Sequence, residues 1–357
     1  ENFYSAPPLA GHPGLEADEW DCIYGEASAK NIFTVGAVDF QSNPSWFSSF
    51  GPTWDGRVKP DVVTIGEGVT TTDTDLNNGN PRYSTFGGTS YATPVVSAHA
   101  VLLRQFLDER AAAKGESYDG YLSALIKAAF IHTATDIELP GPDFLSGWGE
   151  INPREAMSVL SENTFILDTF NERNKREVKM YPIRIPSWQN INQPLKITMV
   201  YQDYWDSPDN FCRTRDERRE LMNNLDLYLC DAAGSAIVRP FVLDWQHPGT
   251  PATKGFNNRD NVEQVLATPQ EIRNYVNTQT QSLFACVRFY YENSPDVNQK
   301  FVLIIGDGST GPNSYGYTCG NGQFEPQYGE ECDKVYHFWN FGSKTCADYG
   351  GMPGSPA

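Results

Sequence analysis

At 357 residues the chain is long for a single hydrophobic core, so two modules and a tail are expected. Its 39% hydrophobic and 13% aromatic content suffices to bury such cores, while no run of about 18 apolar residues is present that would span a bilayer. The net charge of −18 excludes a nucleic-acid partner held through its phosphates and suits a solvated, secreted surface.

The first residues from Glu1 are loop-like, and an upstream portion of polypeptide is expected to precede them. From Asn31 to Val38, Asn-Ile-Phe-Thr-Val-Gly-Ala-Val is a short apolar run that predicts a buried parallel strand. Asp61 to Ile65 predicts a second, and the loop between them holds Phe47, Ser48, Ser49, Phe50, Gly51 and Pro52. After Gly87 and Gly88 a helix is predicted from Thr89 to Glu109, with Val95, Val96, Leu102, Leu103, Phe106 and Leu107 at helical spacing. Pro94 is placed in its first turn, where a missing N–H costs little. Another helix is predicted from Tyr121 to His132. Strands alternating with helices give an α/β module over residues 1–160, with helices packed on a parallel sheet.

Beyond Leu160 the period changes to two. Strands are predicted at Phe165–Asp168, Val178–Ile185, Leu195–Tyr201, Asp226–Cys230, Ala236–Pro240, Val262–Ala267, Phe284–Tyr291 and Phe301–Ile305. In one of them Leu195, Ile197, Met199 and Tyr201 share an apolar face, opposite Lys196 and Thr198. Such a series suits an all-β sandwich or jelly roll over residues 161–313. Gly, Pro and Cys then dominate, and residues 314–357 read as a Cys-rich tail module.

The seven cysteines, Cys22, Cys212, Cys230, Cys286, Cys319, Cys332 and Cys346, form no Cys-x-x-Cys pair, which removes zinc and thioredoxin chemistry. Three of them crowd the tail and predict disulfides made in an oxidising compartment, so the chain is expected to be secreted or held in a secretory vesicle. The odd count leaves one over. Cys22, remote from the rest, is expected either to bond to polypeptide outside this chain or to remain a buried thiol. No Asn-x-Ser/Thr sequon occurs, so N-glycosylation has no support.

The chemistry concentrates in Phe86-Gly87-Gly88-Thr89-Ser90-Tyr91-Ala92-Thr93-Pro94. A serine at a turn entering a helix is a useful nucleophile, because backbone N–H groups and the helix dipole favour a developing oxyanion. The plain alternative is that Thr89 or Ser90 caps the helix. Gly-Thr-Ser-Tyr-Ala-Thr-Pro, however, resembles the nucleophile motif of the subtilisin family, Gly-Thr-Ser-x-Ala-x-Pro. Val35-Gly-Ala-Val38, Phe47-Ser-Ser-Phe-Gly-Pro52 with Asp55-Gly-Arg-Val-Lys-Pro-Asp61, and Gly147-Trp-Gly149 with Ile151 and Asn152 resemble further family segments in the same order.

This resemblance implies a serine endopeptidase working through an acyl-enzyme on Ser90, and implies that the chain holds the C-terminal part of the family's catalytic domain. The family's aspartate motif, Asp-Thr-Gly or Asp-Ser-Gly, and its His-Gly-Thr motif are absent. The five histidines, His12, His99, His132, His247 and His337, stand in other contexts, and His99 reads as a packed residue of the nucleophile helix. Both missing triad members are therefore expected from an associated N-terminal polypeptide upstream of Glu1. The oxyanion asparagine is expected just before Glu1, with Asn2 as its alternative. A chain with only the later strands of a buried parallel sheet would expose an apolar edge.

The second module resembles the jelly roll that follows some bacterial alkaline subtilases. Leu195–Asp203, Asn223–Leu229, Asn257–Glu263 and Phe301–Ile305 carry the likeness. Asp203, Asp226, Asp260, Asn261 and Glu263 bunch at strand ends and suggest a structural calcium site, although Asp and Asn also favour turns. In the tail, Cys319-Gly-Asn-Gly…Gly329-Glu-Glu-Cys332-Asp333 resembles secreted cysteine-rich repeats. The competing reading is a catalytically inactive subtilase-fold binding or structural protein. An α/β-hydrolase esterase is disfavoured, since its elbow reads Gly-x-Ser-x-Gly and position 92 is alanine.

Overall fold

A computed structural model describes residues 20, 22–23, 25–75, 79–162, 164–171, 173–175, 177–184, 191–204, 221–278, 282–292, 298–306 and 316–317. Asn2, His12, Cys212, Cys319, Cys332, His337, Cys346 and the tail from 318 lie outside the described residues.

In the first module β1 (Val35–Val38) pairs in parallel with β2 (Val62–Ile65), as their short apolar runs predict. The other edge of β2 takes residues 149–151, with Val63 N donating to Gly149 O and Ile151 N to Val63 O, both at 3.0 Å. An antiparallel hairpin, β3 (Val69–Thr74) and β4 (Pro81–Phe86), then leads to α1 (Thr89–Lys114). The hairpin has no apolar stripe and is half to fully exposed, so periodicity did not reveal it. Its turn signal, Asn78-Gly79 between β-branched and aromatic residues, was there to be read.

α1 ends where Gly115 takes a left-handed conformation and donates to Ala111 O, five residues later than expected. Pro94 is the sixth residue of the helix, not in its first turn, so the carbonyl of Ser90 loses its intrahelical donor. α2 (Leu122–Thr133) is buried on almost every side. A third helix, α3 (Pro153–Ser161), starts with Asn152 Oδ1 accepting from Glu155 N at 3.2 Å and Pro153 in the first turn. Buried Arg110 joins α1 to α3, donating to Glu116 at 2.8 Å and to Leu160 O at 2.9 Å.

The second module builds two antiparallel sheets. One has the order β12 (Val262–Ala267), β7 (Leu195–Tyr201), β14 (Asn298–Gly306), β5 (Phe165–Asn171). The other runs β15 (Gly316–Tyr317), β6 (Val178–Arg184), β13 (Leu283–Glu292), β8 (Asn223–Cys230), β9 (Ala236–Val238). Side chains from both fill one core, among them Phe170, Tyr201, Leu227, Val287, Phe301 and Leu303. A small hairpin of β10 (Phe241–Val242) and β11 (Thr253–Lys254) and a helix, α4 (Pro269–Thr278), complete it. The helix begins in a reciprocal cap, Thr268 N to Glu271 Oε2 at 2.7 Å and Glu271 N to Thr268 Oγ1 at 3.2 Å. Cys230 and Cys286, on neighbouring strands, form a disulfide.

The modules share a core. Val200, Val262, Val302 and Ile304 of the second pack with Leu125, Phe130 and Leu160 of the first. Away from this junction α1 leaves apolar residues in solvent: Val101 is 65% exposed, Leu102 53% and Val95 37%. Two of these three belong to the predicted stripe, so the helix is apolar over more of its circumference than the described residues cover.

Candidate active site

Ser90 lies exposed in the first turn of α1. The helix N-cap is Gly88, with φ 153° and no side-chain cap, so neither Thr89 nor Ser90 serves as the cap. Gly88 N donates to Gly66 O at 2.8 Å, and Gly66 N to Val38 O at 2.9 Å. The turn before Ser90 is thus hung from the ends of both parallel strands. Gly66 permits this closeness: a Cβ there would stand 2.7 Å from Ala37 Cβ and 2.9 Å from Gly88 O. The start of a long helix sets free N–H groups and the positive end of its dipole beside the serine hydroxyl, a setting that favours negative charge on a neighbouring oxygen. Aromatic rings flank it, with Phe86 stacked on Tyr91 at 5.7 Å and the edge of Phe47 3.2 Å from where a Cβ of Gly87 would lie.

The described histidines are engaged elsewhere. His99 Nδ1 bonds Val95 O of its own helix at 2.8 Å. His132 is fully buried against Thr198 Oγ1 at 2.9 Å, and burial pushes its pKa well below the ordinary value, so it is neutral. His247 pairs with Asp244 at 2.7 Å in an exposed turn.

The segments on either side of β2 are fixed by buried charge. Asp61 accepts from Thr34 N at 2.7 Å and holds Lys59 Nζ at 2.5 Å and Lys127 Nζ at 2.7 Å. The two ammonium groups keep its carboxyl below its usual range despite burial, while burial brings Lys59 down to about 8. Gly147 fits against this bend with φ 66°, because a Cβ would meet Pro60 O at 2.1 Å. Asp143 beneath it accepts from Leu145 N and Ser146 N at 2.8 and 2.7 Å, yet burial raises it to about 6.

The five residues expected to bind calcium each make a hydrogen bond or ion pair, while Asn261 Oδ1 and Glu263 Oε1 are buried and accept none. Asp203 takes Lys30 Nζ at 2.7 Å and the amides of Met222 and Asn223 at 2.8 and 2.9 Å. Asp226 accepts from Asn224 Nδ2 at 2.9 Å and Asp260 from Val58 N at 2.9 Å. Asn261 donates to Tyr201 O at 2.6 Å. Glu263 accepts from Leu227 N at 2.7 Å, and burial drives its pKa well up. Among the described residues no three of His, Cys, Asp or Glu are placed to share a metal ion. These contacts tie strands and modules together. Cys22 Sγ donates to Phe50 O at 3.3 Å.

The Subtilase family model matches residues 18–149. The membrane-bound transcription factor site-1 protease of Mus musculus is 34% identical over 155 residues, 42% of this chain and 13% of that protein. The serine protease/ABC transporter B family protein tagB of Dictyostelium discoideum is 30% identical over 172 residues, 38% of this chain and 9% of that protein. Its relative tagD is 25% identical over 364 residues, which reach 86% of this chain, second module included, and 19% of that protein. The chain therefore spans at most 19% of the length of these three relatives. The structure of the prenylagaramide maturation protease PagA aligns at 28% identity over 39% of this chain and 45% of that one, with a TM-score of 0.30, a likeness too local to define the fold. Over residues 18–149, in the N-terminal part of the sequence, this chain is similar to the subtilase family.

Proposed function

We propose that the chain is the nucleophile-bearing part of a serine endopeptidase, in which Ser90 attacks the peptide carbonyl and forms an acyl-enzyme. The observation that carries this reading is the exposed Ser90 at the start of α1, on a turn tied by Gly88 to Gly66. A general base takes the serine proton and returns it to the leaving amine. In this reading the base and its aspartate come from an associated N-terminal polypeptide upstream of Glu1, together with the oxyanion asparagine, because the family's aspartate and histidine motifs do not occur in the sequence. The solvent-facing apolar residues Val95, Val101 and Leu102 of α1 offer that polypeptide a surface to bury.

The second module is a jelly roll that braces the first, a reading supported by its strand order of β12-β7-β14-β5 against β6-β13-β8-β9. A secreted or vesicular location fits the Cys230–Cys286 disulfide, and no helix among the described residues is long and apolar enough to cross a membrane. The test is co-expression with the upstream polypeptide and assay on a quenched protein substrate. Hydrolysis that disappears in S90A supports the reading, and a folded complex without hydrolysis gives the inactive subtilase-fold binding protein instead.

A further inference from the structure

The loop 53–61 and α2 bury three cations against two carboxylates. Arg57 Nε meets Asp55 at 2.6 Å, and Lys59 and Lys127 share Asp61 at 2.5 and 2.7 Å, with all five side chains 2–6% exposed. One positive charge is left over within the first module, where water cannot hydrate it and where an uncompensated charge is costly. A further buried carboxylate beside this cluster comes from the second module. Asp260, 6% exposed, accepts from Val58 N at 2.9 Å and lies within electrostatic range of Arg57, Lys59 and Lys127.

We propose that Asp260 is the counter-ion that completes the charge balance of the first module, so that the second module acts as an electrostatic interlock for the strand pair behind Ser90. The path from one to the other is short. Asp61 immediately precedes β2, Gly66 immediately follows it, and Gly66 O holds Gly88 N two residues before the serine. Undocking the second module strands a buried ammonium group and loosens this path. The proposal concerns the stability of the serine's support and does not depend on which bond the serine attacks.

Calorimetry of the full chain and its variants tests this. D260N is expected to lower Tm by about 10 °C and to split one transition into two as the modules come apart. Removing the surplus cation should repair this, so D260N/K127Q is expected to regain at least half of the loss and the single transition. If D260N fails to fold, a folded D260N/K127Q gives the same support. D260N melting like the parent overturns the proposal, as do D260N and K127Q effects that simply add, or failure of both variants to fold, because a packing role adds where charge compensation cancels.

Discussion

Gly66 O accepts from Gly88 N at 2.8 Å, so the turn that presents Ser90 is suspended from the first residue beyond β2. Backbone rather than side chains sets the serine's position, and the contact exists because Gly66 carries no Cβ and Gly88 takes a φ of 153°.

G66A is accordingly expected to displace the turn, since the added methyl meets Ala37 Cβ at 2.7 Å and the carbonyl of Gly88 at 2.9 Å, both rigidly held. A loss of about 1–3 kcal/mol in stability is expected, as for overpacked cores, with a larger proportional loss of reactivity at Ser90. Denaturant titration and serine labelling on one preparation measure the two effects. Parent-like labelling would show that the turn is positioned otherwise.

His132 makes stability depend on pH. Its folded-state pKa is lowered well below 6.5 by burial, so the fold prefers the neutral ring, and its contribution is full above the unfolded value and lost as pH falls through it. The slope approaches about 1.4 kcal/mol per pH unit below pH 6.5. Asp143, raised to about 6, works in the opposite direction between pH 6 and 3.8, because the folded state there binds the proton more readily. The difference between the parent and H132Q isolates the histidine. Urea midpoints at pH 7 and pH 5 are expected to diverge in the parent and to converge in H132Q; equal shifts in both would remove His132 as the cause.

Chelation is expected to leave the melting temperature of the second module unchanged. Asp203, Asp226, Asp260 and Glu263 each already accept from an ammonium group, a side-chain amide or a backbone N–H group, while Glu263 Oε1 is left without a donor. A fall of several degrees with EDTA that added calcium reverses would show that these groups rearrange around an ion.

Much of this was legible in the sequence. Val262–Ala267 and Leu195–Tyr201 form strands with the bounds that alternation gives, because their registers are fixed by a shared core. The Gly-Thr-Ser motif located Ser90 through local chain geometry, which a short motif encodes well. The β3–β4 hairpin was not legible, since polar strands exposed on both faces carry no period. Nor was the role of Asp203 and Asp260, whose partners Lys30 and Val58 lie more than 170 residues away in sequence. Carboxylates at strand ends look the same in sequence whether they bind an ion or an ammonium group.

The most direct test of the central claim is labelling with a fluorophosphonate probe in the presence of the upstream polypeptide, followed by peptide mapping of the adduct. The account predicts one adduct, on Ser90, absent in S90A and lost when the upstream polypeptide is removed. A folded, inhibitor-free complex that takes no label, or takes it at another residue, would contradict it.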